Sequence, residues 1–158
     1  MATEIERKFL LLTDAWRNRV TESINMKQAY MLGSDKASVR VRISGDSASL
    51  NIKSATLGIT RKEYECPLLL ADAEEMLQEL CQSPVITKTR HIVPNGPHIW
   101  EIDQFHGANE GLIVAEIELS QEDEAFLKPD WIGLEVSGDI RYYNVSLIKN
   151  PFSTWCAD

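Results

Sequence analysis

Glu4-Ile5-Glu6-Arg7-Lys8 is the stretch on which the reading of this chain turns. On a β-strand successive side chains alternate between faces, so Glu4, Glu6 and Lys8 project together while Ile5 and Phe9 face the other way. The same grammar recurs with changing sign: Arg40-Val41-Arg42, Lys88-Thr89-Arg90 and Glu116-Ile117-Glu118 each place two like charges on one strand face. A sheet built from such strands needs something to neutralise each pair. A divalent metal would serve the acids, and a polyanion the bases.

The 158 residues suit a single domain, 1–158, with enough bulk for a core. A formal net charge of −8 argues against general binding to nucleic acid or to anionic membranes, which calls for a basic surface. It also makes the clustered arginines stand out as a local basic pocket. Cys66, Cys81 and Cys156 are odd in number and lack Cys-x-x-Cys spacing, which predicts reduced thiols in a cytoplasmic protein rather than a disulfide framework or a zinc knuckle. No apolar signal core follows Met1, and no stretch approaches the roughly 18 apolar residues of a membrane span.

Period-2 patterning predicts strands at 3–12, 23–32, 38–44, 48–54, 59–66, 85–93, 98–105 and 112–119, with a short one at 133–137. Gly45-Asp46, Leu57-Gly58, Pro94-Asn95-Gly96-Pro97 and the Gly107 to Gly111 run supply turns, and Pro67 ends the fifth strand. Ala71–Cys81 is the clearest helix: Met76, Leu77 and Leu80 keep helical spacing, and Asp72, Glu74 and Glu75 sit where the dipole favours acids. Thr13-Asp14 introduces a helical turn over 15–19, a short helix is expected at 122–127, and a last helix at 142–149 is closed by Pro151. Eight or so short strands imply a barrel or a sandwich. Alternation alone leaves two closures open. The common one keeps the apolar faces inside. The other turns Val39/Val41/Ile43, Ala115/Ile117/Leu119 and Ile5/Phe9 outward, and the charges inward.

The ordered set of motifs resembles the CYTH superfamily, the triphosphate tunnel metalloenzymes. It runs from Glu4-x-Glu6-x-Lys8 through Val39-Arg40-Val41-Arg42, Gly58-Ile59-Thr60-Arg61-Lys62-Glu63-Tyr64-Glu65 and Lys88-Thr89-Arg90. It continues in Trp100-Glu101-Ile102-Asp103-Gln104-Phe105 and Ala115-Glu116-Ile117-Glu118-Leu119, then Glu135-Val136-Ser137 with Arg141-Tyr142-Tyr143-Asn144. The resemblance implies an α+β, mostly β fold: an eight-stranded antiparallel closed β-barrel with a charged interior and a few flanking helices. The length is similar to that of compact bacterial tripolyphosphatase-like members. The implied activity is divalent-metal-dependent hydrolysis of a small-molecule triphosphate, foremost inorganic tripolyphosphate to pyrophosphate and phosphate. Class IV adenylate cyclase and thiamine triphosphatase are the enzyme alternatives. Retention of Lys53 and both Glu-x-Glu pairs argues against a non-catalytic polyphosphate or nucleotide sensor, and a carrier for an apolar ligand would require the opposite face polarity.

The same resemblance assigns roles. Lys8, Arg40, Arg42, Lys88 and Arg90 surround the phosphates, the arginines as planar forks and the lysines as point charges. Glu4, Glu6, Glu116 and Glu118 are hard oxygen ligands for Mg2+ or Mn2+. Lys53 and Tyr30 match a catalytic dyad, on the premise that a lysine among other cations loses its proton readily. Glu63 and Asp103, with Arg61 and Glu65, orient the cations. His91, His98 and His106 have no metal-ligand spacing, and Trp16, Trp100, Trp131 and Trp155 are expected in the outer apolar shell. No nucleic acid or membrane partner is expected, and a homodimer is left open.

Overall fold

The chain forms one antiparallel sheet that closes on itself. The computed structural model describes residues 2–55 and 58–155; Met1, Leu57 and Cys156 lie outside them. The strands are β1 (Ala2–Leu11), β2 (Glu22–Gly33), β3 (Ala37–Ser44), β4 (Ser47–Ser54), β5 (Thr60–Leu68), β6 (Ile86–Asn95), β7 (His98–Phe105), β8 (Ile113–Leu119) and β9 (Ile132–Glu135). Their order is β5-β4-β3-β2-β6-β7-β8-β1-β9. Pairing of Ala2–Ile5 with the Thr60 to Glu63 end of β5 joins β1 back to β5 and closes eight strands into a barrel. The ninth, β9, adds to the other end of β1 through Phe9↔Glu135 and Leu11↔Ile132.

Register settles which face is inside. Lys8↔Glu116, Glu6↔Glu118, Glu101↔Glu116, Arg90↔Asp103, Tyr30↔Arg40 and Lys53↔Glu63 are direct cross-strand partners, so the ionic rows share one face all the way round. The opposite face carries the apolar residues and is covered from outside. Ile5, Phe9, Trp100, Ile102, Ala115 and Ile117 pack with Trp16 and Trp131. Ala29, Val41, Ile43 and Ala48 lie under Ala73 and Leu77 of α1 (Leu70–Glu79). The barrel has its charges inside and its apolar shell outside.

One part of the interior is apolar. Ile86, Phe105 and Val114 stand on the inner faces of β6, β7 and β8 and pack against Leu147 of the one-turn α2 (Ser146–Lys149). They fill one end of those three strands and draw the C-terminal segment into the barrel.

Several local expectations give way to tertiary context. No helix forms at 122–127; Phe126 instead packs edge-on against Phe9 and Trp100. The single helix expected at 142–149 is a 3-10 turn at Ile140–Tyr142 followed by α2, because the Tyr143 hydroxyl donates to the Ser137 carbonyl at 3.0 Å and pins the chain between them. Pro67 does not end β5, and Pro94 lies within β6. Each sits where its strand has a partner on one side only: the β1 ladder reaches no further than Glu63, and the β2 ladder no further than Ile92. A missing N–H is tolerated at such an edge. Trp155 packs on Tyr142 and Phe152 beside the C-terminal plug, not in the outer shell.

Trp100 is fully buried among Phe9, Phe126 and Trp131. Trp100→Ala is expected to cost about 3–5 kcal/mol through lost burial and the cavity left behind. Urea denaturation would measure it, and a loss below about 1 kcal/mol would contradict an outer shell that holds the barrel together.

Candidate active site

The barrel encloses a polar cavity of about 220 Å3. Lys8, Arg40, Arg42, Lys53, Arg61, Lys88 and Arg90 line it, facing Glu4, Glu6, Glu63, Glu65, Glu101, Glu116 and Glu118. Tyr30 lines it as well, and Asp103 lies behind Lys88 and Arg90. Every site residue proposed from the sequence therefore borders one space or touches a residue that does. The residues differ in how they are engaged.

On the β6-β7-β8-β1 side the charges neutralise one another. Lys8 Nζ donates to Glu6 at 2.6 Å and also to Glu116. Arg90 donates from Nε and Nη2 to Asp103 at 2.7 and 2.8 Å, from Nη2 to Glu116 at 2.7 Å, and from Nη1 to Glu101. Lys88 donates to Asp103. Burial pushes the Glu116 carboxyl up, but Lys8, Arg90 and Lys88 outweigh it and hold the group well below the usual carboxylate range. Asp103 behaves alike: burial is overcome by Arg90 and Lys88, and its pKa falls. Lys8 is raised, because Glu116 and Glu6 outweigh the cost of burying its ammonium. Glu101 goes the other way: burial raises it, and repulsion from Glu116, Asp103 and Glu6 adds to the pull against Arg90.

Across the cavity, β3 presents guanidinium nitrogens that have no partner among the described residues. Arg40 is only 6% exposed, yet its Nε and Nη2 have no hydrogen-bond acceptor, and neither has Arg42 Nε. Nearby, Asn51 Nδ2 donates to Glu63 at 3.0 Å and also to Glu65, holding both carboxylates on β5. Buried guanidinium nitrogens are ordinarily satisfied. A group of them that is not satisfied has donors to spare for an anion.

Carboxylates crowd a third region. Glu4 accepts two hydrogen bonds from Lys53, at 2.9 and 2.7 Å, and Lys53 stands 3.7 Å from Glu63. The Glu118 carboxyl is raised by burial and by Glu4, Glu6 and Glu63, with Lys53 opposing. Among the described residues Glu118 makes no hydrogen bond or ion pair, and no three Asp, Glu, His or Cys side chains form a ready-made metal sphere. The donor set still suits a small hard cation, which takes few carboxylates and completes its shell with water and phosphate oxygens. Glu118 and the second oxygen of Glu6 are open to it, and Glu4 becomes so if Lys53 yields. Glu116 is the least available of the four, since one of its oxygens accepts from Lys8 and the other from Arg90. The surroundings of Lys53 also differ from expectation: its nearest charged neighbours are carboxylates, not cations.

The fold has known counterparts. The CYTH-domain family model matches residues 2–150. The chain belongs to the CYTH family. It is 43% identical over 155 residues to an inorganic triphosphatase of Acetivibrio thermocellus, covering 98% of this chain and 99% of that protein. It is 34% identical over 150 residues to an inorganic triphosphatase of Nitrosomonas europaea, covering 92% and 96%. A crystal structure of an inorganic triphosphatase superposes with a TM-score of 0.65 at 31% identity, over 94% of this chain and 95% of that one. A Hippeastrum protein described as a proposed adenylyl cyclase that reveals a dominant triphosphatase activity shares the fold at 15% identity, with a TM-score of 0.57 over 75% and 80% of the two chains.

Within this CYTH barrel, the sequence motifs gave no role to Glu101, Asn51, Gln28 or Asn144, although Glu101 and Asn144 stand inside them. Glu101 alternates with Asp103 on the same strand and was legible from that spacing. Asn51 precedes Lys53 by two and shares its face. Gln28 has no comparable signal, and Asn144 has only its place at the end of the Arg141-Tyr142-Tyr143-Asn144 run.

Glu116 and Asp103 have depressed pKa values, so the stability they contribute is present above their unfolded values and is lost as pH falls through the folded ones. Thermal stability is therefore expected to fall as pH drops below about 4.5. Glu116→Gln should cost about 3–5 kcal/mol near neutral pH by leaving Lys8 and Arg90 under-compensated, and should flatten this acid limb. Melting curves of both proteins between pH 7 and pH 2.5 would test it; parallel pH profiles would count against the ion-pair core.

Proposed function

We propose that the chain is a divalent-metal-dependent inorganic triphosphatase, cleaving tripolyphosphate to pyrophosphate and phosphate. The observation that carries this reading is the set of buried, unpartnered nitrogens of Arg40 and Arg42. Identity to two inorganic triphosphatases along nearly the whole chain supports it.

Arg40 and Arg42 bind phosphate oxygens through their forks, which match phosphate geometry. Lys8, Lys88 and Arg90, already held by carboxylates, form a fixed positive wall that needs little rearrangement when charge develops on the phosphoryl group. Hydrolysis breaks one bridging P–O bond as a water oxygen bonds to the terminal phosphorus. Pyrophosphate leaves with the electron pair and takes up the proton that the attacking water loses. Lys53 and Tyr30 are assigned to that reacting end, Lys53 steadied by Glu4 and Glu63, and Asp103 fixes Lys88 and Arg90. Glu4, Glu6 and Glu118 would hold Mg2+ or Mn2+, with Glu116 supporting through Lys8 and Arg90. Such an ion polarises phosphoryl oxygens and lowers the pKa of bound water. The lining is polar apart from Tyr30, Tyr143 and Val145, which offers no apolar slot for an adenine and favours a triphosphatase over a cyclase.

Phosphate release from tripolyphosphate, ATP and thiamine triphosphate, with cyclic AMP followed in parallel, tests the reading. Tripolyphosphate is expected to be the best substrate and turnover to vanish in EDTA. Cyclic AMP as the main product would overturn the assignment. Arg40→Lys is expected to lower kcat/KM for tripolyphosphate by at least tenfold, since an ammonium cannot replace the fork. Lys53→Ala should lower kcat more than it raises KM, and unchanged turnover would remove Lys53 from the mechanism.

A further inference from the structure

The C-terminal segment does more than fill the end of the barrel. Tyr143, Asn144 and Val145 line the cavity together with the ionic rows. Asn144 lies three residues before Leu147, at the boundary between the apolar plug and the charged space. Its backbone is held on both sides, by the Tyr143 hydroxyl on Ser137 and by the fully buried Leu147. The Tyr143 ring also carries Arg61, whose guanidinium carbon lies 4.4 Å from the ring centroid.

The Asn144 side chain is oriented from below. Gln28 on β2 is wholly buried, and its Nε2 donates to Asn144 Oδ1 at 2.9 Å. That occupies one lone pair of the amide oxygen. Among the described residues Asn144 makes no other side-chain hydrogen bond, so its one donor group, Nδ2, has two hydrogens and no protein acceptor. Gln28 is the cross-strand partner of Arg42, and Tyr30, two residues on, is that of Arg40. Asn144 therefore joins the sector of Arg40 and Arg42, where, among the described residues, the buried unpartnered guanidinium nitrogens outnumber the one buried unpartnered acceptor, Gln28 Oε1. A neutral donor suits that position: unlike lysine or arginine it draws no carboxylate onto itself and stays free for a ligand.

We propose that Asn144, oriented by Gln28, is a further substrate-binding residue, donating from Nδ2 to an end phosphate of the triphosphate beside Arg40 and Arg42. This rests on the triphosphatase reading of the same cavity. It separates two roles that a simple count of charges would merge: the arginines supply attraction, and Asn144 supplies position.

The decisive comparison is Asn144→Asp against Asn144→Ala, in the full chain with Mg2+ or Mn2+ and tripolyphosphate. Aspartate keeps an acceptor for Gln28 but turns an anion toward the phosphate; alanine loses both contacts. Phosphate binding predicts KM rising at least tenfold in the aspartate variant and about fivefold in the alanine variant, with kcat within about threefold of the parent. Gln28→Ala should raise KM to a degree similar to Asn144→Ala. A purely structural role predicts the reverse order, because aspartate preserves the Gln28 contact. An aspartate variant no worse than alanine, or an alanine variant with unchanged KM, overturns the proposal while leaving the triphosphatase reading intact. A parent protein that does not hydrolyse tripolyphosphate overturns the triphosphatase reading itself, and Asn144 with it.

Discussion

A buried charge without a partner is costly on the scale of a whole domain's stability, and the interior of this barrel contains many charges. The fold exists because most of them are neutralised in place. Arg90 meets three carboxylates, Lys8 two, and Lys88 one, all within the β6-β7-β8-β1 sector. The apolar surface that would ordinarily form the centre is moved outward, beneath α1 and around Trp16, Trp100 and Trp131. The outer shell thus takes over the work of a core, and the interior is left for charges.

Closure makes that exchange possible. An open sheet with one ionic face would simply hydrate it. Joining β1 to β5 over four residue pairs brings Glu4 beside Arg61 and lets Lys53 reach Glu4 from the far side of the sequence. None of these contacts is local, and each depends on the register of every ladder around the ring. A one-residue slip in any strand would turn its charges out and its Val or Ile in. The like-charged doublets on β1, β3, β6 and β8 resist that slip, since a doublet facing outward would force its apolar neighbours among the remaining charges.

These doublets are also why so much was legible before the fold was known. Glu4/Glu6, Arg40/Arg42, Lys88/Arg90 and Glu116/Glu118 state their face by alternation alone, and alternation is what a strand preserves. Which face is inside was not legible that way; it needed the resemblance first and the ladders afterward. Gln28 was obscured because its strand is polar on both faces, with Lys27 reaching out to Glu74 while Gln28 turns in. The carboxylate neighbours of Lys53 come from β1 and β5 and could not be read from its own strand. Asn144 lies in an irregular segment with no period, placed by the packing of Leu147 and the Tyr143 hydroxyl. Pro67 and Pro94 misled for a related reason: where a strand has lost one neighbour is a property of the ring, not of the strand.

The balance of charge along the cavity wall bears on why a metal belongs to the proposed reaction. Lys8, Arg40, Arg42, Lys53, Arg61, Lys88 and Arg90 face an equal number of glutamates: Glu4, Glu6, Glu63, Glu65, Glu101, Glu116 and Glu118. The wall is neutral in sum, so a bound triphosphate would leave the enclosure strongly negative unless cations came with it. The imbalance is one of position. Unpartnered guanidinium nitrogens gather on β3, and mutually repelling carboxylates gather around Glu118. A polyanion at the first place and a divalent cation at the second would relieve both, with the phosphate oxygens between them shared. Either ligand alone would relieve only one side, and on this reading the substrate and its metal are bound as one unit.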